Sequence, residues 1–222
     1  MLTLYMRKLT YVLSIFSLFL ACSYAHSQEH PVVEMKTSVG VILIELYPEK
    51  APKTVQNFLK YVKSGHYNQT IFHRVIDNFM VQGGGFDKQL KEKPTAHPPI
   101  PLEAAVALEH ELKNDLGTIS MARTNVPNSA KAQFFINVNN NDFLNHQVLP
   151  EGDPVQFIKQ GETVTAPRAQ ALLATAGYTP FGRVVKGMEV VEKIKIVETK
   201  AVGPFQNLPV EPIIVESVKL LK

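Results

Sequence analysis

The stretch FHRVIDNFMVQGGGF, residues 72–86, places a cation and three glycines in an apolar sequence. β-Branched and aromatic residues dominate it, so it predicts two strands, TIFHRVI (70–76) and FMVQG (79–83). Arg74 lies within the first strand, although arginine is seldom buried unless it is paired. Its guanidinium therefore forms a salt bridge, extends to water, or belongs to a binding site. The glycines at 83–85 predict a turn that needs unusual backbone dihedrals.

Short segments on both sides of this stretch predict a mostly β fold. Alternating or β-branched sequences occur at residues 32–48, which predict a hairpin, and at 116–122, 133–138, 181–185 and 212–221. Two segments, APKTVQNFLKYVKSGHY (51–67) and GMEVVEKIK (187–195), predict helices. Many short strands with two helices are typical of a closed or nearly closed antiparallel barrel that has the helices packed at its ends.

Two further segments interrupt this pattern. Residues 87–110 are polar and rich in proline, so they predict a loop. Residues 147–177 are irregular and moderately polar, apart from the helix-like sequence APRAQALLATAG (166–177). This insert is a tolerated surface loop, a cover for a groove, or a partner-binding segment.

The composition is that of a single globular domain. The chain has 222 residues, of which 45% are hydrophobic and 19% charged, and this excludes an intrinsically disordered protein. Its net charge of +3 is spread without long basic blocks, so no nucleic-acid partner is expected. None of the seven histidines has convincing metal-site spacing, and no metal or organic cofactor is expected.

The N-terminus has the features of an export signal. Arg7 and Lys8 precede the apolar run LTYVLSIFSLFLA (9–21), and small residues follow it. The run is short for a membrane span, which needs about 20 apolar residues. We therefore expect residues 1–25 to be a signal peptide and the mature protein to be periplasmic.

Cys22, the only cysteine, lies within this signal. Cleavage after Ala25 or Ser27 removes it, which suits an oxidising compartment where free thiols mispair. Alternatively, FLAC (19–22) resembles the lipobox of bacterial lipoproteins, in which the cysteine is acylated and becomes the new N-terminus. The match is imperfect because Phe19 stands where an aliphatic residue is usual. Membrane association is expected only if Cys22 is lipidated.

Side chains on separate predicted strands indicate a groove for an extended peptide. In QFFINV, Gln133 and Phe135 face one side of the strand and Phe134 faces the other. Gln82 ends the sequence FMVQ. Together with Arg74, these amides and exposed rings make a surface that is apolar in the middle and polar at its rim. A site for a peptide backbone and one of its side chains has this character.

Three long blocks resemble the signature sequences of the cyclophilins, the peptidyl-prolyl cis-trans isomerases. They are FHRVIDNFMVQGGGF (72–86), GTISMARTNVPNSAKAQFFINV (117–138) and FGRVVKGMEVVEKI (181–194). The resemblance runs from Val32 to Lys222, apart from residues 87–110 and 147–177, and assigns residues 31–222 to one isomerase domain. It implies a closed eight-stranded antiparallel β-barrel capped by two α-helices. It also implies isomerisation of X-Pro bonds, which here would serve exported proteins during folding.

The resemblance assigns roles to individual residues, and Arg74 falls on the catalytic arginine. The other implied contacts are Phe79, Met80, Phe135 and Leu144 around the proline ring, Gln82 and Gln133 on the peptide backbone, and Ala122 and Arg123 alongside the peptide.

Three positions depart from the family pattern. Phe143 replaces a tryptophan that is common in animal and fungal members, and Arg123 stands where many relatives have asparagine. Tyr178 falls on the position of a groove histidine, judged by its spacing before the FG pair. His146 is an alternative for that position because the insert makes the alignment ambiguous.

We therefore expect a monomeric isomerase whose partners are proline-containing polypeptides. The alternative, from another class, is a peptide-binding chaperone or a host-interaction module with incidental turnover. The presence of Arg74, Phe79, Met80, Gln82 and Phe135 argues against a loss of catalysis.

Overall fold

The computed structural model describes residues 30–159 and 161–221. The predicted signal peptide at 1–25, including Cys22, lies outside the described residues. None of the helices within the described ranges is long and apolar enough to cross a membrane.

Eight strands close into an antiparallel barrel and confirm the predicted fold class. They are β1 (Val32–Thr37), β2 (Gly40–Leu46), β3 (Thr70–Ile76), β4 (Met80–Asp87), β5 (Thr118–Met121), β6 (Phe134–Asn137), β9 (Pro180–Lys186) and β12 (Ile214–Leu220). Their order around the barrel is β1–β12–β3–β4–β6–β5–β9–β2. Two separate hairpins complete the β structure: β7 (Val155–Lys159) with β8 (Glu162–Ala166), and β10 (Thr199–Val202) with β11 (Phe205–Pro209).

The two predicted helices are α1 (Pro52–Lys63) and α4 (Met188–Lys195), and the described chain also contains two short ones, α2 (Ala104–Glu109) and α3 (Arg168–Ala174). Helix α1 begins at Pro52, and Gly65 follows its end with a φ of +68°. Buried Glu103 caps its N-terminus, because the carboxylate accepts hydrogen bonds from the N–H groups of Lys53 (3.1 Å) and Thr54 (2.8 Å). A negative charge is favourable at this end of a helix.

Aromatic rings dominate the main core. The ring of Phe58 on α1 lies 5.0 Å from Tyr67 and 5.1 Å from Phe181, centroid to centroid. Phe134 on β6 lies 5.5 Å from Tyr67. All four side chains are fully buried, so α1 is held on the barrel by rings that also come from the strands.

The segments predicted as irregular contain more secondary structure than their sequences indicate. Residues 87–110 include α2, and residues 147–177 contain the β7–β8 hairpin followed by α3. In that insert Val155, Phe157 and Ala171 form a small core of their own. The helix-like sequence at its C-terminal end matches α3, whereas the two strands were not predicted because polar residues separate their few buried side chains.

A β-bulge explains how Arg74 lies in an apolar strand without entering the core. Phe72 on β3 pairs with Gly83 on β4, while Arg74 pairs with the adjacent Gln82, so His73 is one extra residue. The extra residue reverses the alternation of side chains: Phe72 and Val75 are both buried, and Arg74 between them is exposed. Bulges commonly redirect a side chain in this way.

The prediction of a turn at 83–85 is wrong, because all three glycines lie within β4. The unusual backbone dihedral is nevertheless present, since Gly84 has a φ of +83°. A Cβ there would lie 2.9 Å from the Tyr67 ring and 3.0 Å from the Phe134 ring. Glycine is therefore required because the strand bulges directly over the aromatic core.

Candidate functional site

A small pocket of about 100 Å³ opens beside the bulge. Its lining residues come from six separate parts of the chain: Arg74, Phe79, Met80, Gln82, Ala122, Arg123, Phe135, Leu144 and Tyr178. Strands β3, β4 and β6, the segment after β5 and the segment before β9 meet here because β3, β4, β6, β5 and β9 are neighbours in the barrel, and the 3-10 turn Asp142–Leu144 adds the sixth part. The structure therefore brings together nine of the residues that the sequence predicted.

The floor of the pocket is apolar and separate from the main core. Met80, Phe135 and Leu144 form their own buried cluster. Phe135 belongs to it because β6 alternates, and Phe134 and Ile136 on the other face enter the main core. An apolar floor with three large side chains suits a small ring such as that of proline.

Arg74 stands at the edge of this floor with its guanidinium available. Its side chain is exposed, and its Cζ atom lies 5.9 Å from the centroid of the Phe79 ring. Within residues 30–159 and 161–221, no carboxylate oxygen lies within 4.0 Å of it and no acceptor satisfies hydrogen-bond geometry. A ligand in the pocket can therefore receive its hydrogen bonds.

Two amides form the polar side of the groove. Gln82 Nε2 donates a hydrogen bond to Gln133 Oε1 at 3.0 Å. Gln133 does not line the small pocket itself, but lines an adjoining cavity of about 270 Å³. Its side chain lies across Gly85, where a Cβ would come within 2.5 Å of Nε2. The absence of a side chain at Gly85 is thus what leaves room for the amide.

Tyr178, and not His146, lies at the pocket. The Tyr178 ring makes an edge contact with Phe135 at 5.7 Å, and the Arg123 guanidinium lies 4.5 Å over its face. Arg123 Nε also donates to the carbonyl of Gly177 at 2.9 Å. His146 is turned to the insert, with Nδ1 3.3 Å from the Ala176 carbonyl.

Phe143 lies at the rim and does not line the pocket. Its side chain is 61% exposed, and its ring centroid is 5.6 Å from that of Phe79. A ligand that extends beyond the pocket on this side would meet an uncovered ring.

A buried asparagine network supports the pocket and was not predicted from the sequence. Asn114 Nδ2 donates to the carbonyls of Leu144 (3.2 Å) and Tyr178 (3.3 Å). Asn141 Nδ2 donates to the carbonyl of Phe79 at 2.8 Å and to Asn137 Oδ1 at 2.7 Å. The three asparagines are buried, and they fix the backbone of three residues that line the pocket. The asparagine-rich sequence NVNNND (137–142) was the available signal.

His73, the bulged residue, is buried behind the site. Its ring lies 4.8 Å from Phe86 and 6.2 Å from Phe205, and its Nδ1 has no hydrogen-bond partner among the described residues. Burial lowers the pKa of His73 to about 4, and the positive charge of Arg74 acts in the same direction. The imidazole is therefore neutral at neutral pH.

We expect His73 to make the protein less stable in acid. Its pKa is about 6.5 in an unfolded chain, so between pH 6.5 and 4 the unfolded state binds a proton that the folded state does not. The free energy of unfolding should fall across this window, by about 3 kcal/mol in total from this group. Urea unfolding of the wild type and His73→Gln at several pH values measures it. Parallel pH dependences for the two proteins would contradict the assignment.

The described residues contain no group of three or more His, Cys, Asp or Glu side chains arranged to hold a metal ion.

Comparison with known proteins adds independent findings. Residues 32–220 match the family model described as cyclophilin type peptidyl-prolyl cis-trans isomerase/CLD. A peptidyl-prolyl cis-trans isomerase of Streptomyces antibioticus is 47% identical over 189 residues, which cover 85% of this chain and 98% of the relative. Peptidyl-prolyl cis-trans isomerase B of Escherichia coli is 46% identical over 187 residues, covering 84% and 98%.

A solved structure shares the fold at lower sequence identity. A cyclophilin type isomerase from Cryptosporidium parvum, crystallised in the presence of the dipeptide Ala-Pro, aligns with a TM-score of 0.63 and 24% identity. The alignment covers 86% of this chain and 99% of that one.

Proposed function

Because the chain belongs to the cyclophilin family of peptidyl-prolyl cis-trans isomerases, we propose that it isomerises X-Pro bonds in exported polypeptides while they fold. The observation that carries the proposal is the exposed guanidinium of Arg74 beside a buried apolar floor. Such a site fits an extended chain that presents a proline. No covalent bond has to break in this reaction, so a binding surface with the right donor is sufficient.

The barrier to isomerisation is the resonance of the amide, which resists rotation by about 18–20 kcal/mol. Uncatalysed X-Pro exchange therefore takes about 10–100 s. The two planar isomers are close in energy, so the enzyme must favour the twisted state over both of them.

Arg74 supplies the interaction that is specific to the twisted state. When the bond twists, the imide nitrogen becomes pyramidal and regains a lone pair that can accept a hydrogen bond. The guanidinium remains charged at every relevant pH and can donate to this lone pair. The apolar floor of Met80, Phe135 and Leu144 excludes water, which strengthens the hydrogen bond.

The remaining groups bind the residues on the two sides of the X-Pro bond. The proline ring lies on the apolar floor, while the preceding residue is held by Gln82 and the main chain at Ala122. The proline ring stays still while the carbonyl of the preceding residue rotates, and this orientation lowers the entropic part of the barrier. Arg123 and Tyr178, stacked on each other, close the end of the pocket.

Export is supported by the sequence at 1–25, with its basic residues, apolar run and small residues. We expect the mature protein in the periplasm, beginning after Ala25 or Ser27. Cell fractionation and mass spectrometry of the purified N-terminus test this, and Cys22→Ser is the matched variant. An unprocessed chain in the cytoplasm would contradict export. Acylation of Cys22 in the wild type, together with release of the Cys22→Ser protein from the membrane, would instead show that the mature protein is lipid-anchored.

A further inference from the structure

A second concave surface lies on the side of the barrel where the β10–β11 hairpin packs against β3. It is a depression of about 210 Å³, which we call the distal bowl. Its apolar lining residues are Ile71, Leu90, Val202, Leu208, Pro209, Val210 and Pro212. Ile71 and Leu208 are buried and Val202 is 37% exposed, so the bowl has a buried floor and an open wall.

Two cations stand at the rim of the distal bowl. Lys88 and Lys200 are both exposed and both line it. No described Asp or Glu side chain is among its lining residues, although Glu211 lies in sequence between two of them. An apolar floor with two rim lysines favours an apolar group that has carboxylates next to it.

The wall of the bowl is held in a sparsely populated backbone conformation. Leu90 has a φ of +61°, which is uncommon for a leucine. Asp87 fixes this turn: its Oδ1 accepts from the N–H groups of Gln89 (2.9 Å) and Lys91 (3.0 Å), and its carbonyl accepts from the N–H of Leu90 (2.9 Å). Leu90 is thereby placed at the bowl.

Neighbouring depressions that share lining residues lie between the proline site and the bowl. The proline pocket and the adjoining cavity share Gln82, Ala122 and Arg123. That cavity shares Lys93 with a third depression of about 240 Å³, which in turn shares Lys88 with the bowl. A series of neighbouring depressions therefore lies between the two sites, and an extended polypeptide that follows it would reach both.

We infer that the distal bowl is an exosite for the polypeptide substrate, which anchors an apolar side chain flanked by acidic residues while a proline of the same chain occupies the pocket. The inference rests on the isomerase function and narrows its substrates to chains that carry both features. The second contact increases the affinity for such chains without altering the chemistry, because tethering raises the local concentration of the reacting segment.

The test compares short and tethered substrates. The short substrate is a tetrapeptide with one X-Pro bond, and the tethered ones join it through Gly-Ser linkers of 4 to 16 residues to Glu-Leu-Glu, placed at either end. We expect the best tethered peptide to bind roughly 3- to 30-fold more tightly than the short one. Its kcat, measured by NMR exchange, should be unchanged.

Lys88→Glu/Lys200→Glu should remove this gain and leave the kinetics of the tetrapeptide unchanged. Lys53→Glu/Lys63→Glu on helix α1 is the matched control, since it changes the net charge equally on another surface. Peptides that end in Lys-Leu-Lys should gain nothing with the wild type and should gain affinity with the bowl variant.

A direct measurement removes the dependence on linker geometry. The proline-free peptide Gly-Glu-Leu-Glu-Gly should shift the methyl signals of Leu90, Val202 and Leu208 and leave those of Met80 and Leu144 unchanged. Absence of these shifts, equal affinities for all tethered peptides, or shifts with decanoate but not with the peptide would each overturn the exosite. Loss of turnover on the tetrapeptide would instead contradict the isomerase function, so the two failures are distinguishable.

Discussion

Arg74→Ala should lower kcat/KM for X-Pro isomerisation by a factor of about 10²–10³, the usual cost of one preorganised donor. The protein should remain folded, because Arg74 is exposed and makes no ion pair or hydrogen bond within the described residues. NMR exchange on a tetrapeptide, with urea unfolding of the same samples, separates the two effects. The binding constant for the ground state should change much less than kcat, since the donor is needed mainly in the twisted state.

Two further variants sharpen this prediction. Arg74→Lys keeps the charge but not the planar fork, so we expect it to recover only part of the activity. Arg183→Ala is the matched control: Arg183 is 41% exposed on the barrel strand β9, makes one long ion pair of 3.8 Å with Asp115 and donates one hydrogen bond to the carbonyl of Leu116 at 3.0 Å. An Arg74→Ala protein that is as active as Arg183→Ala would remove Arg74 from the mechanism.

Asn114→Ala should lower the free energy of unfolding by about 2–4 kcal/mol, because several buried partners lose their hydrogen bonds at once. Ser120 Oγ donates to Asn114 Oδ1 at 2.7 Å, and Asn114 Nδ2 donates to the carbonyls of Leu144 and Tyr178. Isomerase activity should fall as well, since those carbonyls belong to residues that line the pocket.

Asn139→Ala provides the comparison for this network. Asn139 is exposed, and its side chain donates to the carbonyl of Asn78 at 3.2 Å and accepts from the N–H of Asn140 at 2.9 Å. Its removal should cost under about 0.5 kcal/mol. Equal losses of stability for the two variants, measured by urea unfolding, would show that the buried network does not support the fold.

The barrel was predictable from the sequence, because alternating apolar residues mark half-buried strands and helical spacing marks α1 and α4. The number of strands came from the family resemblance and not from periodicity. The β7–β8 hairpin was missed because it buries little: Val155 and Phe157 are its fully buried apolar side chains, and Val164 and Ala166 pack against them only half-buried, so the apolar signal is weak.

The pocket residues were predictable from the resemblance, but what positions them was not. Asn114 and Asn141 lie outside strands, where asparagine usually indicates a solvated turn. Their burial results from contacts between segments far apart in the chain, which local sequence does not encode. The shift in pairing at His73 is hidden for a similar reason, since the sequence of one strand does not reveal where its partner slips.

His73, the one extra residue in β3, has a consequence for any redesign of this protein. If β3 and β4 were redrawn with regular pairing, so that His73 and not Arg74 lay opposite Gln82, the barrel would follow every rule of an ideal scaffold. The side chains of β3 after His73 would then lie on the opposite face of the strand, and the guanidinium of Arg74 would face the apolar core of the barrel. Such a protein would either fail to fold or fold without isomerase activity. The β-bulge at His73 is therefore the first feature of the barrel that a redesigned version must keep.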